Sequence, residues 1–349
     1  MKPGGLACAL LGGRNWAVAG AFALLALALA FPRVELPRDT FDYIVTFDIT
    51  QSMYTEDVSV AGAPLSRLAF AKSAMREALG TLPCGSKVGW SVFTGQNTLL
   101  LVPPIEVCRS YDALLASLDA IDGRMRWTNW SRIAEGGVYS AVRVARTVGR
   151  NVDVVFITDG QEAPPIIPSN APSPDIALPG VTGWLIGVGG DQPAPIPRTD
   201  ANGNRIGYWS ASEVIQVAPA PGAPASSSSG SDASPATAES HEELSELRGE
   251  YLSALAERIG FGYRRLVDAG SLAAALRDAR FAHRTRVPTD VRWVPALAAL
   301  LLLAWRYSGG LRRRRAAALD SGNTPGPSAA GQVRDGLSFV ASHSEIDGA

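Results

Sequence analysis

Short apolar stretches alternate with amphipathic ones through most of this 349-residue chain. Residues 43–47, 152–158 and 182–188 are apolar runs of strand length, as expected for strands buried on both faces of a parallel sheet. Helical periodicity marks 65–79, 111–120, 131–148, 244–259 and 271–281, and a last strand is predicted at 263–267. This alternation predicts an α/β fold with a doubly wound, mostly parallel sheet that helices cover on both faces.

A hairpin interrupts the parallel pattern. Residues 87–93 and 98–102 predict two antiparallel strands, so one edge strand of the sheet runs against the others. Facing residues of an antiparallel pair have a constant sum of residue numbers, and a turn centred near Gln96 makes that sum 192. Cys84 and Cys108 have the same sum and are predicted to form a disulfide, with two buried free thiols as the alternative. A disulfide would require an oxidising compartment such as a periplasm.

Both ends of the chain contain apolar blocks. Residues 16–31 carry no charge and follow Lys2 and Arg14, so 1–32 is predicted to be a signal peptide or signal anchor, with a buried core helix as the alternative. Residues 293–311 predict a transmembrane helix. Four arginines at 312–315 then indicate that 312–349 is a cytoplasmic tail, basic at first and then disordered. Residues 33–290 are therefore predicted to lie on the opposite side of the membrane from this cytoplasmic tail.

Between these blocks one domain is predicted over 41–282. The Pro-rich stretch 163–180 predicts a surface loop, and Asn202-Gly203 predicts the turn of a small added hairpin within 200–207. Residues 218–239 consist largely of Ala, Pro, Ser and Gly and predict a flexible insert. The formal net charge of -1 gives no reason to expect nucleic acid as a partner.

Oxygen-bearing side chains follow the predicted strand ends. The first strand runs into Asp48, Thr50 and Ser52, and a later one ends at Asp159. Thr128 precedes a predicted helix. Parallel strands end at the same edge of a sheet, where open α/β sheets bind ligands, so two carboxylates and three hydroxyls are expected to converge there. As an alternative, each residue could cap a helix or stabilise a turn.

This set of residues suits a hard divalent cation. Mg²⁺ prefers oxygen ligands in an octahedron, and Mn²⁺ or Ca²⁺ would accept similar donors. The absence of thiol and imidazole from the set argues against Zn²⁺. Hydroxyl ligands are weak donors and leave the ion electrophilic. The expected function is therefore the binding of an acidic side chain of a partner protein, which would complete the coordination of the ion.

These residues resemble the metal-ion-dependent adhesion site (MIDAS) of the von Willebrand factor A (VWA) family. The resemblance covers about 41–282 and implies the Rossmann-like VWA fold, with Asp48, Thr50, Ser52, Thr128 and Asp159 around the ion. The family more often has Ser where this chain has Thr50. The residues around Thr128 are also bulkier than is usual at that position.

The order of segments narrows the resemblance. A leader helix, an A domain and a C-terminal helix resemble the Bat-type proteins of bacterial inner membranes, which implies a stress-tolerance or adhesion role with the domain in the periplasm. Residues 47–53 and 82–88 also resemble MxaL-like accessory proteins. That resemblance implies assembly or metal loading of a periplasmic oxidoreductase of the methanol dehydrogenase type, with a MoxR-type AAA ATPase as a further partner.

Two tryptophans flank one of the predicted ligands. Trp127 and Trp130 lie on either side of Thr128, and aromatic residues are enriched in binding hot spots. They are therefore candidates for an apolar rim that contacts the partner. Packing in the core is the alternative.

Enzymatic interpretations find less support in the sequence. None of the three histidines, His241, His283 and His343, lies near a predicted strand end, and the common nucleotide-binding and hydrolase motifs are missing. A Mg²⁺-dependent phosphoester hydrolase is the rival hypothesis. It would need a cation near the leaving group, for which Lys72 and Arg126 are the nearby candidates. The sequence thus predicts a binding protein, not an enzyme.

Overall fold

The structure is a computed structural model that describes residues 16–30, 33–60, 62–149, 151–166, 181–216 and 241–320, with side chains up to Ser308. It contains two compact units. One comprises Glu35–Pro288, and the other is formed by the two ends of the chain, up to Val34 and from Thr289.

Strands and helices alternate along most of the chain. The strands are β1 (Arg33–Thr40), β2 (Asp42–Asp48), β3 (Val58–Val60), β4 (Ala63–Leu65), β5 (Lys87–Thr94), β6 (Asn97–Glu106), β7 (Asp153–Thr158), β8 (Gly183–Gly187), β9 (Ala194–Pro195), β10 (Pro197–Thr199), β11 (Arg205–Tyr208), β12 (Leu244–Ser245), β13 (Gly262–Arg265) and β14 (His283–Asp290). The α-helices are α1 (Trp16–Ala30), α2 (Arg67–Leu79), α3 (Tyr111–Asp119), α4 (Tyr139–Val148), α5 (Gly249–Ile259), α6 (Ala269–Leu276) and α7 (Trp293–Asp320).

Six strands form the central sheet in the order β6-β5-β2-β7-β8-β13. All neighbours pair in parallel except β5 and β6, which are antiparallel. This arrangement confirms the prediction of a mostly parallel sheet with one antiparallel edge strand. The chain leaves β2 toward one edge and later returns to fill the other side, so the strand order reverses between β2 and β7. That reversal is the place where open α/β sheets bind ligands, beyond the carboxyl ends of the strands.

Apolar side chains cover both faces of the sheet, because successive residues of a strand point to opposite faces. One face carries Tyr43, Phe47 and Trp90 and packs against α2, α3 and α6. The other carries Phe93 and Phe156, whose ring centroids lie 5.4 Å apart, and packs against α4 and α5. Each central strand therefore has two buried faces, which is why most residues of these strands are apolar.

The region predicted as one helix over 131–148 has two parts. Residues Ile133–Val138 form π-helical turns, and the α-helix α4 begins only at Tyr139. Gly136 and Gly137 explain the difference. A Cβ at Gly136 would lie 2.6 Å from the backbone of Gln96, so only glycine allows this wide turn to approach the hairpin so closely.

The helix predicted over 244–259 is shorter than expected. Leu244 and Ser245 form strand β12, which pairs with β9, and helix α5 starts at Gly249. The backbone carbonyl of Ser245 accepts a hydrogen bond from Arg67 at 2.9 Å. That carbonyl is engaged by a distant side chain instead of by the next turn of a helix.

Strands β1 and β14 form a two-stranded ladder that the predicted bounds of 41–282 leave out. Its end is held by Thr40, whose hydroxyl donates to the carbonyl of His283 at 3.1 Å and lies 2.9 Å from the hydroxyl of Thr285. The compact unit therefore extends on both sides of the predicted domain.

The hairpin of β5 and β6 has a two-residue turn, with Thr94 opposite Asn97. Gly95 adopts a φ of 70° in this turn, which favours glycine. Beyond the hairpin Cys84 and Cys108 form a disulfide, with their Cα atoms 5.3 Å apart. Glu106 lies beside the two sulfur atoms, but the disulfide leaves these sulfurs unavailable as thiolate ligands for a metal.

A smaller hairpin lies outside the sheet. Strands β10 and β11 pair antiparallel around the turn at Asn202-Gly203, which confirms the predicted added hairpin. The insert predicted at 218–239 and most of the loop predicted at 163–180 lie outside the described residues.

The two terminal apolar blocks are helical. Within their unit α1 and α7 contact each other, and the rings of Trp16 and Trp305 are 5.8 Å apart in an edge-to-face arrangement. Helix α7 continues through the arginine run to Asp320, and the rest of the predicted tail lies outside the described residues. In the part of the chain that the structure describes, no helix combines the length and the apolarity needed to span a bilayer.

Candidate metal centre

Asp48 is the last residue of β2 and is completely buried. One carboxylate oxygen accepts the backbone N–H of Thr50 at 2.9 Å, and the other accepts the hydroxyl of Thr158 at 2.6 Å. Burial, and then the nearby charge of Asp159, raises the pKa of Asp48 to about 7. The carboxylate is thus held rigidly in a place where a negative charge is costly, and a cation would relieve that cost.

Thr50 and Ser52 follow Asp48 at the turn that leaves the sheet. Residues Gln51–Tyr54 form one 3₁₀ turn, and this turn brings the hydroxyl oxygens of Thr50 and Ser52 to 3.2 Å from each other. Both residues line an open groove at this edge of the sheet. The three predicted ligands of the first motif therefore share one short loop.

Asp159 reaches the same edge from β7. One of its carboxylate oxygens accepts the backbone N–H of Gln161 at 2.9 Å. The other accepts a hydrogen bond from Arg67 at 2.7 Å, and both side chains of this ion pair are fully buried. The sequence prediction placed Asp159 at the site but did not identify Arg67.

Arg67 joins several loops at the site. Its guanidinium binds Asp57 through Nε at 2.9 Å and through Nη2 at 2.5 Å, and it donates to the Ser245 hydroxyl at 2.6 Å. A longer hydrogen bond of 3.4 Å reaches the carbonyl of Ser52. Burial alone would lower the pKa of Arg67, but its hydrogen bonds to Asp57 and the charge of Asp159 outweigh burial and raise that pKa.

The charges at the site do not balance. Arg67 pairs with Asp57 and Asp159, and Asp48 lies near Asp159, so the three carboxylates carry two more negative charges than Arg67 neutralises when all of them are ionised. One divalent cation would neutralise them. The available donors are all oxygens, which suits Mg²⁺, Mn²⁺ or Ca²⁺. Asp48, Thr50, Ser52 and Asp159 therefore fit the predicted ion.

Thr128 lies in a neighbouring loop and is engaged differently. Its hydroxyl accepts the backbone N–H of Trp130 at 3.2 Å, and its carbonyl accepts the hydroxyl of Thr94 at 2.9 Å. Within the described ranges, no hydrogen bond joins the side chain of Thr128 or that of Asp159 to Asp48, Thr50 or Ser52. Asp48, Thr50 and Ser52 thus share one loop with Asp159 near Asp48, and Thr128 lies in the neighbouring loop that Asn129 joins to Gln51.

Trp127 and Trp130 are not core residues. Their side chains are 50% and 59% exposed, respectively. Trp130 also lines the groove that Thr50 and Ser52 line. An exposed indole beside the ion position is consistent with the predicted rim.

The loop of residues 48–54, which carries three of the predicted ligands, is called the metal loop. Gln51 connects it to two other segments, and the sequence did not reveal these contacts. The side-chain amide nitrogen of Gln51 donates to the side-chain oxygen of Asn129 at 3.0 Å, and its side-chain amide oxygen accepts the indole N–H of Trp209. The amide thereby ties the 3₁₀ turn to the loop of Thr128 and to the segment that follows β11. Neither partner of Gln51 belongs to a recognisable motif.

The groove at this edge, which we call the site groove, has a volume of about 210 Å³. Its lining includes Thr50, Ser52, Trp130, Ser131, Glu162 and Trp209. The hydroxyls of the metal loop therefore share a concave surface with two aromatic rings and a carboxylate.

Comparisons with known proteins give distant similarities. No protein-family profile matches the chain. It is 28% identical to a UPF0353 protein of Mycobacterium sp. (strain KMS) over 208 residues, which are 56% of this chain and 55% of that protein. A UPF0353 protein of Mycobacterium leprae is 26% identical over 161 residues, 43% of this chain and 44% of its relative. The chain thus spans about half the length of the curated relatives it matches.

Solved structures also resemble the chain. An aerotolerance-related membrane protein from Bacteroides fragilis has a TM-score of 0.44 at 19% identity, over 68% of this chain and 96% of that one. A BatB protein from Bacteroides thetaiotaomicron has a TM-score of 0.44 at 20% identity, over 69% and 98%. A von Willebrand factor type A protein from Catenulispora acidiphila has a TM-score of 0.39 at 12% identity, over 74% and 42%.

Proposed function

We propose that this chain is a membrane-associated VWA-type protein that binds a divalent cation and, through it, an acidic side chain of a partner protein. One observation carries the proposal. Four oxygen-bearing side chains from two strand ends lie at one edge of the sheet beside a buried arginine, whose single charge cannot neutralise Asp48, Asp57 and Asp159 once all three are ionised. Asp48, Thr50 and Ser52 would hold Mg²⁺, or Mn²⁺ or Ca²⁺ in its place, and Asp159 would neutralise it directly or through water.

The residues at the site would have different roles in binding the cation. Asp48 is held by Thr50 and Thr158 and, once ionised, would supply a negative charge in a fixed position to the cation. Thr50 and Ser52 line the groove and are weak donors, so a bound cation would remain attractive to an external carboxylate. Arg67 holds Asp159 in place and prevents its charge from standing alone in the interior.

Capture of partner proteins with and without a chelator tests this function. The full chain, extracted in mild detergent, would serve as bait in Mg²⁺ or in EDTA, beside Asp48→Ala and the surface control Asp191→Asn. We expect at least one partner that is lost in EDTA, lost with Asp48→Ala, and displaced by an excess of acidic peptide. A partner set that is indifferent to EDTA and to Asp48→Ala would overturn the proposal.

The biological setting belongs to the same proposal. The resemblance to Bat-type and MxaL-like proteins supports a periplasmic location of the domain at a bacterial inner membrane. It also supports a role in the assembly or metal loading of a methanol dehydrogenase-type oxidoreductase, with a MoxR-type ATPase as partner. A Bat-type stress-tolerance or adhesion role is the second form of this proposal.

The hydrolase hypothesis gains no specific observation. Lys72 donates to the backbone carbonyls of Asp119 and Ile121, at 3.0 Å and 2.6 Å. Arg126 donates to Thr199 at 2.8 Å. Lys72 is therefore engaged elsewhere, and Arg126 is engaged through one nitrogen while its Nη1 has no described hydrogen-bond partner. That the protein is not an enzyme stays a prediction.

A further inference from the structure

Three buried polar atoms border the site groove without a hydrogen-bond partner in the described part of the chain. They are the hydroxyl of Ser131, the amide oxygen of Gln161 and one carboxylate oxygen of Glu162. Ser131 is 1% exposed and Gln161 is 5% exposed. Buried polar atoms are nearly always hydrogen-bonded, so three of them around one groove indicate a ligand that pairs with them.

The hydrogen bonds around these atoms show that they accept. The amide nitrogen of Gln161 donates to Glu242 at 3.1 Å, which leaves its oxygen as an acceptor without a described partner. The other carboxylate oxygen of Glu162 already accepts from the hydroxyl of Tyr251 at 2.8 Å and from the backbone N–H of Ile133 at 3.0 Å. The ionised carboxylate of Glu162 and the amide oxygen of Gln161 accept hydrogen bonds and donate none, so a ligand that pairs with both must be a donor.

One cation already lies near this carboxylate. Nη1 of Arg132 is 3.6 Å from the partnerless oxygen of Glu162. The same nitrogen donates to the carbonyls of Ser131 and Pro164, so it forms no hydrogen bond with Glu162. Glu213, another carboxylate of the groove, is paired with Arg198 at 2.6 Å. The described lining includes Glu162, Glu213 and Glu242 and neither a lysine nor an arginine, so the part of the groove away from the ion favours a cationic group over an anionic one.

The rest of the groove is apolar. The rings of Trp130 and Trp209 and the side chains of Pro164, Ile196 and Ile215 line it. Such walls suit an alkyl stem, while the acceptors suit a charged head, as in the way lysine and arginine bury their stems. A guanidinium can also stack on an exposed indole such as that of Trp130, which is 59% exposed.

We propose that the site groove binds a cationic side chain, a lysine or an arginine, of the partner segment whose carboxylate meets the ion. The part about the ion rests on the proposed function. The part about the cation rests only on Ser131, Gln161 and Glu162. The partner would then present an acidic and a basic side chain close together, and each would be recognised by a separate group of residues.

Titration with a small cation tests the groove by itself. The probe is n-butylguanidinium, the control is the neutral isostere n-butylurea, and the readout is tryptophan fluorescence of the full chain in EDTA. We expect a saturable change with n-butylguanidinium and at least ten-fold weaker binding of n-butylurea. Glu162→Gln should weaken the binding of n-butylguanidinium roughly ten-fold, because a hydrogen bond between two charged groups is lost. The exposed control Glu257→Gln should leave it unchanged.

Further variants keep the result decisive. Ser131→Ala removes one acceptor with little change in volume and should weaken binding several-fold even if Glu162→Gln fails to fold. Equal binding of the guanidinium and the urea, or full affinity in both Glu162→Gln and Ser131→Ala, would overturn the proposal. Asp48→Ala should abolish the response to Mg²⁺ and keep the response to n-butylguanidinium. If the native chain binds n-butylguanidinium but does not bind Mg²⁺, the proposed metal site is overturned and the proposed site for the cationic side chain stands.

Discussion

The guanidinium of Arg67 lies 2.7 Å from the carboxylate of Asp159, and neither side chain is exposed to solvent. This ion pair links the first turn of α2 to the end of β7, at the edge where Asp48 also ends its strand. Removing one partner of such a pair leaves an uncompensated charge in the interior. The site is therefore part of what holds the domain together.

Replacing Arg67 should test that statement. Arg67→Met keeps much of the side-chain volume but leaves Asp57 and Asp159 without their cationic partner. We therefore expect the free energy of unfolding to fall by about 3–5 kcal/mol. Arg67→Lys keeps the positive charge but not the bidentate geometry, so its free energy of unfolding should lie between those of the native chain and Arg67→Met. Urea unfolding monitored by circular dichroism measures both. An Arg67→Met protein within about 1 kcal/mol of the native chain would show that the ion pair contributes little.

The sequence predicted much of this architecture for identifiable reasons. Strands β2, β7 and β8 are mostly apolar because both of their faces are buried, and their short length favours strands over helices. The positions of Asp48 and Asp159 then follow from the strand ends, since parallel strands end at one edge. The added hairpin at Asn202-Gly203 follows from local turn chemistry.

Other contacts had weaker signals or none. Arg67 lies four residues before Ala71 and eight before Met75, on the buried stripe of α2, so a charge on that stripe was a usable sign of a buried pair. The link from Gln51 to Trp209 joins residues 158 apart and has no local signature. Thr128 was assigned to the ion from its place before a predicted helix and from the resemblance, and neither could reveal that its hydroxyl accepts a hydrogen bond within its own loop.

The predicted disulfide came from an assumption that is only approximately true. The sum of paired residue numbers is 191 at Thr94 and Asn97 but 193 at Lys87 and Glu106, because irregularities occur near Trp90. The assumed constant of 192 lies between these values. The pairing of Cys84 with Cys108 therefore agrees with the expectation although the register changes along the hairpin.

The disulfide should contribute measurably to stability. It closes a loop with a sequence separation of 24, for which chain entropy predicts about 3 kcal/mol. The double variant Cys84→Ser with Cys108→Ser should lose roughly that amount in urea unfolding. Dithiothreitol should destabilise the native chain and leave the double variant unaffected. Equal stability of the oxidised native chain and the double variant would contradict this assignment.

The close approach of the π-helical turn to the hairpin predicts a contrast between two glycines. Gly136→Ala would push a Cβ against the Gln96 backbone, and we expect a loss of about 1–3 kcal/mol. Gly270→Ala in α6 meets nothing closer than 3.4 Å and should be neutral or stabilising by up to about 1 kcal/mol. Thermal unfolding of both variants measures the contrast. A harmless Gly136→Ala would contradict the close packing of this turn against the hairpin.

Trp209 should hold the segment 194–216 against the metal loop. Trp209→Phe keeps an aromatic ring but removes the indole N–H that Gln51 accepts. We expect faster amide hydrogen exchange in 194–216 and around Gln51, with little change in the central sheet. Tyr208→Phe is the matched control, since the Tyr208 hydroxyl contacts only the exposed Arg205 among its described partners. Unchanged exchange in Trp209→Phe would mean that this contact does not anchor the segment.

The central claim is that the oxygens of Asp48, Thr50, Ser52 and Asp159 hold one divalent cation. Isothermal titration of the full chain with MgCl₂, MnCl₂ and CaCl₂ in turn tests it most directly. We expect one saturable site for at least one of these ions in the native chain and in Asp191→Asn, and none in Asp48→Ala. Absence of a saturable site for all three ions in a folded native chain, or an undiminished site in folded Asp48→Ala, would contradict the claim.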